Sequence, residues 1–181
     1  RRTRITPQLA RFRDYGAQLQ QPLKRLGAEV HEIYRKNQMP LALYLELERQ
    51  GHMPIARSAM RLRTGRGPAA ASHPAVVVVD MDFARLIGYY LSEGCITQDK
   101  SLRTRFTFNS GEHEYIDDVC AILTRLGLRY SLHKDKHFNA LQIKVSSNLF
   151  AILLRDVLGC GTHSTDMQIP AMLLAGPESI R

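Results

Sequence analysis

The chain has 181 residues, 44% hydrophobic and 23% charged, so it can bury one large core or two small ones and is not a disordered tail. Its three cysteines, Cys95, Cys120 and Cys160, are too few and too scattered for a disulfide scaffold or a paired-cysteine zinc site. The longest apolar runs, such as residues 75–79, are too short to cross a bilayer, and no charged-then-apolar leader opens the chain. We therefore expect a cytoplasmic protein with no membrane partner.

The net charge of +8 lies in the first part of the chain. Residues 1–80 hold 14 basic and 6 acidic side chains, whereas residues 81–181 hold 11 of each. A basic surface suits a polyanion, and nucleic acid is the commonest polyanion. Arg-rich helices that are only solvated would give the same count, so charge alone does not decide between the two interpretations.

Residues 1–80 are predicted to form a basic, mostly helical segment with a linker, ahead of a second domain over residues 81–181. Thr6-Pro7 is typical of a helix start, because a capping hydroxyl precedes a proline at the first helical position. A helical stripe of apolar residues follows over residues 9–33, with a proline and a glycine inside it, which predicts two helices or one kinked helix. A further helix is predicted over residues 40–50.

Residues 55–67 are Arg-rich and end in Gly-Arg-Gly-Pro, which indicates a basic linker or arm before a short strand over residues 75–79. Alternatively, the start of this segment and the preceding helix form a helix-turn-helix that presents Arg61 and Arg63 to phosphates. A helical hairpin with a basic exposed edge fits the pattern equally well. Phosphate contacts of this kind would add affinity without sequence information.

From Asp80 the pattern predicts a helix, two strands, a helix, two strands and a helix. Asp80 or Asp82 can cap a first helix that runs to Glu93. Residues 95–99 indicate a strand, and residues 103–109 alternate strictly between polar and apolar side chains, as a half-buried strand does.

Asn109, three residues before a glutamate, is typical of the start of the second helix. Strands over residues 129–136 and 138–146 follow, and a serine starts a third helix over residues 148–158. The predicted core stripe of the second helix is Tyr115, Val119, Ile122 and Leu126.

The neutral charge of residues 81–181 conceals a separation of basic and acidic groups. The strand segments are rich in Lys and Arg, whereas acids gather near the start of the second helix, where they suit the helix dipole. We therefore expect one sheet face to be basic and polar. Such a face suits the major groove, because Arg and Lys pair with guanine and Asn and Gln with adenine. Any half-buried sheet also has a polar outer face, which is the simpler interpretation.

The first of these helices ends in an acid. Gly88 and Ser92 are small and four residues apart, so they share a face on which another backbone can approach closely. Glu93 stands at the helix C-terminus, where the dipole disfavours an anion, and Gly94 can end the helix in the left-handed conformation. Two such helices side by side would bring two carboxylates together, as metal-assisted phosphodiester hydrolysis requires. A single glutamate before a helix-ending glycine is more often structural.

Residues 86–94, Leu-Ile-Gly-Tyr-Tyr-Leu-Ser-Glu-Gly, resemble the signature helix of the LAGLIDADG homing endonucleases, in the variant that ends in Glu-Gly. The predicted element order over residues 83–158 is similar to that family's repeat, and residues 158–162 and 167–170 resemble the segment after its third helix. The resemblance implies an α+β fold, an αββαββα repeat with an antiparallel DNA-binding saddle. It also implies a sequence-specific, metal-dependent endonuclease that cuts double-stranded DNA.

The resemblance further implies roles for individual residues. Glu93, with Gly94, would hold Mg²⁺ or Mn²⁺ between two signature helices, either in a homodimer or between two repeats of one longer chain. Gln168 stands where the family often has a lysine, and it could orient a water. The DNA-binding residues implied for the saddle are Arg103, Arg105, Thr107, Asn109, Lys134, Lys136, Gln142 and Lys144, and Arg61 and Arg63 would add phosphate contacts from the N-terminal segment.

The sequence contains one convincing signature helix, and residues 169–181 resemble the segment that precedes a second one. We therefore favour a longer two-repeat protein over a homodimer. Members of this family also occur in introns and inteins, and an insertion domain of an intein is a third possibility. The alternative function is a non-cleaving DNA-binding regulator or maturase-like module on the same fold. The acid at Glu93 favours the enzyme, and the missing lysine before Ile169 favours the alternative. A DNA-bound protein would associate with the nucleoid.

Overall fold

The computed structural model describes residues 3–65, 70–98, 101–135 and 138–175. The chain forms two compact units, Arg1–Val77 and Val78–Arg181, and each is built around its own hydrophobic core. Each unit contains a four-stranded antiparallel sheet. In these described ranges, no helix combines the length and the apolar character that a membrane span requires.

The first unit places three helices on a small sheet with strand order β2-β1-β3-β4. Gly27, with φ at 67°, lies between the first two helices, so the prediction of two helices is confirmed, as is the helix predicted over residues 40–50. Its elements are β1 (Arg4–Pro7), α1 (Gly16–Arg25), α2 (Val30–Lys36), β2 (Met39–Pro40), α3 (Leu41–Arg49), β3 (Met60–Thr64) and β4 (Ala71–Pro74), with 3₁₀ turns at Phe12–Tyr15 and Arg57–Ala59.

The helix start predicted at Thr6-Pro7 is wrong. Both residues belong to β1, where Thr6 pairs with Arg61 and Pro7 pairs with Met60 of β3. Proline is tolerated there because it ends the strand, where a missing donor costs little. The local sequence signal is therefore overridden by a partner strand more than fifty residues away.

The basic linker and the helix-turn-helix predicted around Arg61 and Arg63 are also wrong. Both arginines lie within β3, and they alternate with Met60 and Leu62, which pack against the core of the unit. The strand expected over residues 75–79 is replaced by β4, which precedes it and pairs with β3. Residues 1–77 therefore contain a four-stranded sheet in addition to the predicted helices.

The second unit has the predicted αββαββα order, which is confirmed, and its sheet order is β5-β6-β8-β7. Its elements are α4 (Met81–Glu93), β5 (Gly94–Gln98), β6 (Leu102–Asn109), α5 (His113–Arg125), β7 (Tyr130–Lys134), β8 (Ala140–Val145), α6 (Asn148–Ile152), which continues as a π-helical turn over Leu153–Val157, and α7 (Ala171–Leu174).

Side-chain caps set where two of these helices begin. Asp80 Oδ1 accepts a hydrogen bond from the Phe83 backbone N–H at 2.9 Å, and Ser147 Oγ accepts one from that of Phe150 at 3.1 Å. Each oxygen satisfies a backbone donor that the first turn of a helix leaves unpaired. The sequence-predicted caps of α4 and α6 are confirmed.

Helix α4 lies on the apolar face of the sheet. The Tyr89 ring meets Phe108 edge-on at a centroid distance of 6.1 Å, and the Tyr90 ring meets Phe106 in the same way at 6.2 Å. Edge-to-face pairs of this kind stabilise the contact beyond the area they bury. The end of the signature-like helix is thereby fixed against the central strand β6.

The core stripe of α5 differs from the prediction by one residue. Its buried side chains begin at Ile116, while Tyr115 is 48% exposed and packs its ring against Tyr89 at 6.1 Å. Because a helix advances 100° per residue, a shift by one position moves the inferred face by about a quarter of a turn. Val119 and Ile122 remain on the buried face, as predicted.

Candidate nucleic-acid interface and acidic site

The sheet of the second unit has one polar, basic face, which we call the saddle face. Its register places Arg105 opposite Lys144 and Thr107 opposite Gln142, and opposed residues of antiparallel strands lie on the same side. Arg103 lies on this side as well, opposite a threonine of β5. The intervening residues of β6 are buried under the helices. The structure therefore brings these five predicted DNA-binding residues together.

The saddle face carries no negative charge from its own strands. No aspartate or glutamate occurs within β5, β6, β7 or β8. The acids of the unit lie on helices and loops, and several are paired there, such as Asp118 with Arg85 at 2.9 Å. The charged side chains within these strands are therefore all basic, which suits a polyanion.

Arg105 has an incompletely satisfied guanidinium group. Its Nη2 lies 3.6 Å from Cys95 Sγ, a weak acceptor, and its Nε is buried without a hydrogen-bond partner among the described residues. A buried donor without a partner costs free energy.

Sequence analysis missed four members of the saddle face. The register places Ser131 opposite Lys144 and His133 opposite Gln142, and the Ser131 hydroxyl lies 3.0 Å from His133 Nε2. Cys95 and Thr97 occupy the same side of β5. The alternation of side chains along β5 and β7 indicates that all four lie on the polar side. This alternation can be used only when the exact limits of each strand are known.

Of the two lysines of this region that were predicted to contact DNA, Lys134 does not join the saddle face. Lys134 pairs with Leu141, on the side of the sheet that elsewhere carries the apolar core, because its neighbour His133 occupies the polar side. This placement corrects its predicted orientation. Lys136 lies outside the described residues.

Asn109 is exposed at the end of β6, and the oxygen of its side-chain amide already accepts hydrogen bonds within the protein. Its Oδ1 accepts hydrogen bonds from the Gly111 backbone N–H at 3.0 Å and from Asn139 Nδ2 at 3.3 Å. Its backbone N–H donates to Glu112 Oε2 at 2.8 Å, but Asn109 does not cap the second helix as predicted, because α5 begins only at His113, after Glu112. The Asn109 Nδ2 group is the part that remains to contact a ligand.

Glu93 is the last residue of α4, and its side chain is exposed. It makes no hydrogen bond or ion pair with any residue that the structure describes. A helix C-terminus disfavours an anion, and no neighbouring cation offsets that effect here. The carboxylate is therefore free to bind an external cation.

Gly94 does not adopt the predicted left-handed conformation. Its φ of −95° and ψ of 156° are extended, because the chain passes directly from α4 into β5. Glycine is nevertheless required, since a Cβ at this position would lie 2.4 Å from the Tyr90 carbonyl oxygen. The close approach, and not the backbone angle, accounts for this residue.

The loop that carries Gln168 is tied to α4 and β5. The Tyr90 hydroxyl donates to the Gly161 carbonyl at 2.7 Å, and the Ile96 N–H donates to the Thr162 carbonyl at 2.9 Å. The Gln168 backbone N–H donates to the Cys160 carbonyl at 3.1 Å, while its side chain is exposed. Burial raises the pKa of the Tyr90 hydroxyl, so it remains a donor at physiological pH.

Asp166 organises the same loop. Its Oδ1 accepts hydrogen bonds from the backbone N–H groups of His163 at 2.6 Å and Thr162 at 2.9 Å, and its Oδ2 accepts one from the Thr162 hydroxyl at 2.9 Å. These donors, His163 first, hold the pKa of Asp166 below its usual value. The loop is therefore held by an ionised carboxylate.

One side of α4 is left uncovered within the unit. Gly88 and Ser92 are exposed, and a Cβ placed on Gly88 would meet nothing within 4 Å. The Ser92 hydroxyl lies 3.3 Å from the carbonyl oxygens of both Gly88 and Tyr89. Glu93 adjoins this surface, which we call the small-residue face.

The residues at the end of α4 fit half of a divalent metal site. The Glu93 carboxylate and the Gly94 carbonyl are oxygen donors of the kind that Mg²⁺ prefers. Within the part of the chain that the structure describes, no three His, Cys, Asp or Glu side chains lie close enough to hold a metal ion.

Residues 80–155 match a protein family described as the LAGLIDADG-like domain. The match covers α4 through α6 and therefore includes Glu93 and the strands of the saddle face.

Several curated proteins share part of the chain. "Uncharacterized protein MJ1054" of Methanocaldococcus jannaschii is 38% identical over 114 residues, which are 60% of this chain and 12% of that protein. A DNA polymerase of Thermococcus sp. (strain GE8) is 25% identical over 109 residues, 58% of this chain and 6% of the polymerase. The iron-sulfur cluster assembly SufBD family protein Rv1461 of Mycobacterium tuberculosis is 32% identical over 112 residues, 59% of this chain and 12% of that protein. The chain thus matches only a small part of the length of each relative.

Proposed function

Residues 80–155 belong to the LAGLIDADG-like family, and on that premise we propose that the chain is a sequence-specific, Mg²⁺-dependent endonuclease of the homing type that cuts double-stranded DNA. The free carboxylate of Glu93 carries this proposal. It stands exposed and unpartnered at the end of α4, beside the small-residue face. Neither packing nor an ion pair within the described residues accounts for an acid at this position.

The small-residue face supplies the means of pairing two carboxylates. Because Gly88 has no side chain, a second helix can approach the α4 backbone closely. Glu93 lies one residue beyond Ser92, so pairing of two such helices would bring two carboxylates together. Two carboxylates at such a short separation repel each other, and this repulsion favours a divalent cation between them. The second helix would come from a homodimer or from a second repeat in a longer chain.

Each group at this site has a distinct role. The carboxylate of Glu93 and the Gly94 carbonyl would hold Mg²⁺, or Mn²⁺ in its place. When bound, the ion supplies Lewis-acid stabilisation of the leaving oxygen and lowers the pKa of a water. The exposed amide of Gln168 would orient that water, in the position where the family often has a lysine.

The saddle face supplies sequence recognition. Arg103, Arg105 and Lys144 present the donors that pair with guanine, and Gln142 presents an amide that pairs with adenine. Thr107 contributes a hydroxyl on the same side. The placement of Arg105 beside Lys144 on the polar side of the sheet supports this role. Acting on DNA, the protein would work at the nucleoid in the cytoplasm.

We also infer that the segment is carried inside longer host proteins, as an intein-associated or intron-encoded element would be. Its relatives bear unrelated names, among them a DNA polymerase and an iron-sulfur cluster assembly protein. The shared part is 6% to 12% of each of these proteins. A segment that recurs in hosts of different function behaves as an insertion with an activity of its own.

The test replaces the acid and leaves the DNA surface intact. Glu93→Gln keeps the shape of the side chain and removes its charge, so Mg²⁺-dependent cutting of a cognate duplex should be lost while binding stays within about twofold. Cognate duplexes can be selected from a random-sequence pool by the chain itself. Glu114→Gln, which removes an exposed acid from the first turn of α5, is the matched control and should cut normally. Wild-type cutting by Glu93→Gln would refute the catalytic role.

The alternative function is a DNA-binding regulator or maturase-like module that does not cut. The residue that favours it is Gln168, an amide where the family often has a basic helper. On this alternative, the wild-type chain binds a selected duplex and leaves it intact in Mg²⁺ and in Mn²⁺.

A further inference from the structure

The first unit carries a second basic surface, on the sheet β2-β1-β3-β4. The register places Arg4 opposite Arg63 and Thr6 opposite Arg61 across β1 and β3, and Arg63 opposite Ser72 across β3 and β4. These residues therefore share one side of the sheet, which we call the arginine face. The alternate residues of β1 and β3 contribute to the hydrophobic core on the other side.

The acids of the unit do not neutralise the arginine face from within the sheet. None of β1, β2, β3 or β4 contains an aspartate or a glutamate. The acids lie on or beside the helices, and three of them are engaged there: Glu32 with Arg35 and Lys36, Glu46 with Arg49, and Glu48 with Arg57. The strands of the arginine face therefore contribute only basic charges to it, while Arg4 also lines a cavity with Glu29 and Glu32.

Two arginines of this face are held in place along the sheet. Arg61 donates from Nε to Ser72 Oγ at 3.0 Å and from Nη2 to the Ser72 carbonyl at 2.9 Å. Arg4, which is exposed, donates from Nη1 to Gln38 Oε1 at 3.4 Å. A guanidinium group has five N–H donors, so both retain several for a ligand. Because these side chains are already ordered, binding through them loses less conformational entropy.

We propose that the arginine face binds the sugar-phosphate backbone of double-stranded DNA. Opposed strands lie about 5 Å apart and alternate residues about 7 Å apart along a strand, so the guanidinium groups are spaced to contact separate phosphates. Phosphate contacts fix position and add affinity, and they carry no sequence information. The proposal rests on the proposed function, since the same DNA would be bound by the saddle face. Because the two units are covalently linked, DNA binding by one face raises the effective concentration of DNA at the other face.

The test uses the full chain and a fluorescent duplex of mixed sequence, titrated from about 50 to about 200 mM KCl. Each phosphate contact contributes about 0.9 to the slope of log K against log salt. Arg4→Gln with Arg61→Gln should therefore flatten the slope by about two units and weaken binding at least about tenfold at low salt. The matched control, Lys24→Gln with Arg25→Gln, removes the same charge from the exposed last turn of α1 and should leave the slope near that of wild type.

Two further variants separate binding from folding. Arg4→Gln alone, at an exposed position, should flatten the slope by about one unit without changing the melting temperature. Arg61→Lys keeps the charge and loses the fork that bonds Ser72, so it should keep most of the slope and bind a few-fold more weakly. Equal slopes for the double variant and its control would overturn the proposal.

The remaining outcomes distinguish this proposal from the proposed function. If the saddle variant Arg105→Gln weakens DNA binding and the arginine-face variants do not, only this proposal fails. If the wild-type chain does not bind duplex DNA at all, both fail. Tighter binding of a single-stranded or duplex RNA of the same length, lost in the Arg4 and Arg61 variants, would overturn the choice of DNA and assign the arginine face to RNA.

Discussion

The hydroxyl of Tyr90 donates a 2.7 Å hydrogen bond to the backbone carbonyl of Gly161, and this bond joins the acid-bearing helix to the loop that holds Gln168. Tyr90 is fully buried, and it lies three residues before Glu93. Its ring is held against Phe106 of the central strand. One side chain thus links the helix, the sheet and the loop on which the proposed chemistry depends.

Tyr90→Phe should destabilise the fold and reduce cutting. Removing the hydroxyl leaves the Gly161 carbonyl without its partner, which should lower the free energy of unfolding by about 1–2 kcal/mol. Urea denaturation measures this loss, and cutting rates at a temperature where the variant is folded measure the effect on the loop. Tyr89→Phe is the control. It removes a hydroxyl that donates to Asp118 at 3.0 Å, so it should also lower stability while leaving the bond to the Gly161 carbonyl, and hence cutting, intact.

Arg105→Gln should reduce DNA binding by about 1–3 kcal/mol and relax the preference at a single base pair, if Arg105 pairs with guanine. Arg103→Gln tests the neighbouring position in the same way. Selection of bound sequences from a random pool measures the preference. Lys134→Gln removes the same charge from the other side of the sheet, so it should leave both affinity and preference nearly unchanged. Equal weakening on all sequences would identify the arginines as phosphate contacts.

Gly88→Leu should leave the unit folded and prevent pairing of signature helices. A Cβ at this exposed helical position meets nothing within 4 Å, and replacing glycine in a helix adds about 0.5–1 kcal/mol of stability. The melting temperature should therefore stay the same or rise, while cutting is lost. Calorimetry and cutting assays measure the two effects. Normal cutting by the variant would show that the small-residue face is not the pairing surface.

Asp166→Asn should destabilise the loop at neutral pH but not in acid. Because hydrogen bonding lowers the pKa of Asp166, its ionised form stabilises the fold above the ordinary value of about 3.9, and that contribution is lost as the pH falls through the lowered pKa. The melting temperatures of wild type and variant should differ at pH 7, begin to converge below about pH 3.9 and meet once the pH is below the lowered pKa. A difference that is independent of pH would assign the effect to packing.

The second unit could be predicted from sequence because its signals are local. Asp80 and Ser147 cap the helices they precede, and the alternation along residues 103–109 identifies both the strand and its polar side. The face of Lys134 could not be obtained in this way, because a one-residue change in the limits of β7 reverses its orientation.

The first unit was less predictable because its sheet is assembled from distant segments. Residues 4–7 and 60–64 pair across more than fifty residues, and neither segment alternates over a long enough stretch to identify a strand. Gly94 shows a different limitation. Glycine is needed there because of the close contact with the Tyr90 carbonyl. In the sequence, a glycine that ends a helix in the left-handed conformation cannot be distinguished from one that ends it in an extended conformation.

The Ser92 hydroxyl lies within hydrogen-bonding distance of two carbonyl oxygens of its own helix, Gly88 and Tyr89. Its hydrogen-bonding capacity as a donor is therefore met without water. A partner helix could cover this surface without the free-energy cost of desolvating an unsatisfied hydroxyl. The same surface exposes little apolar area, since its members are a glycine and a serine. It can remain stable in water while unpaired and still come together with a partner at low cost.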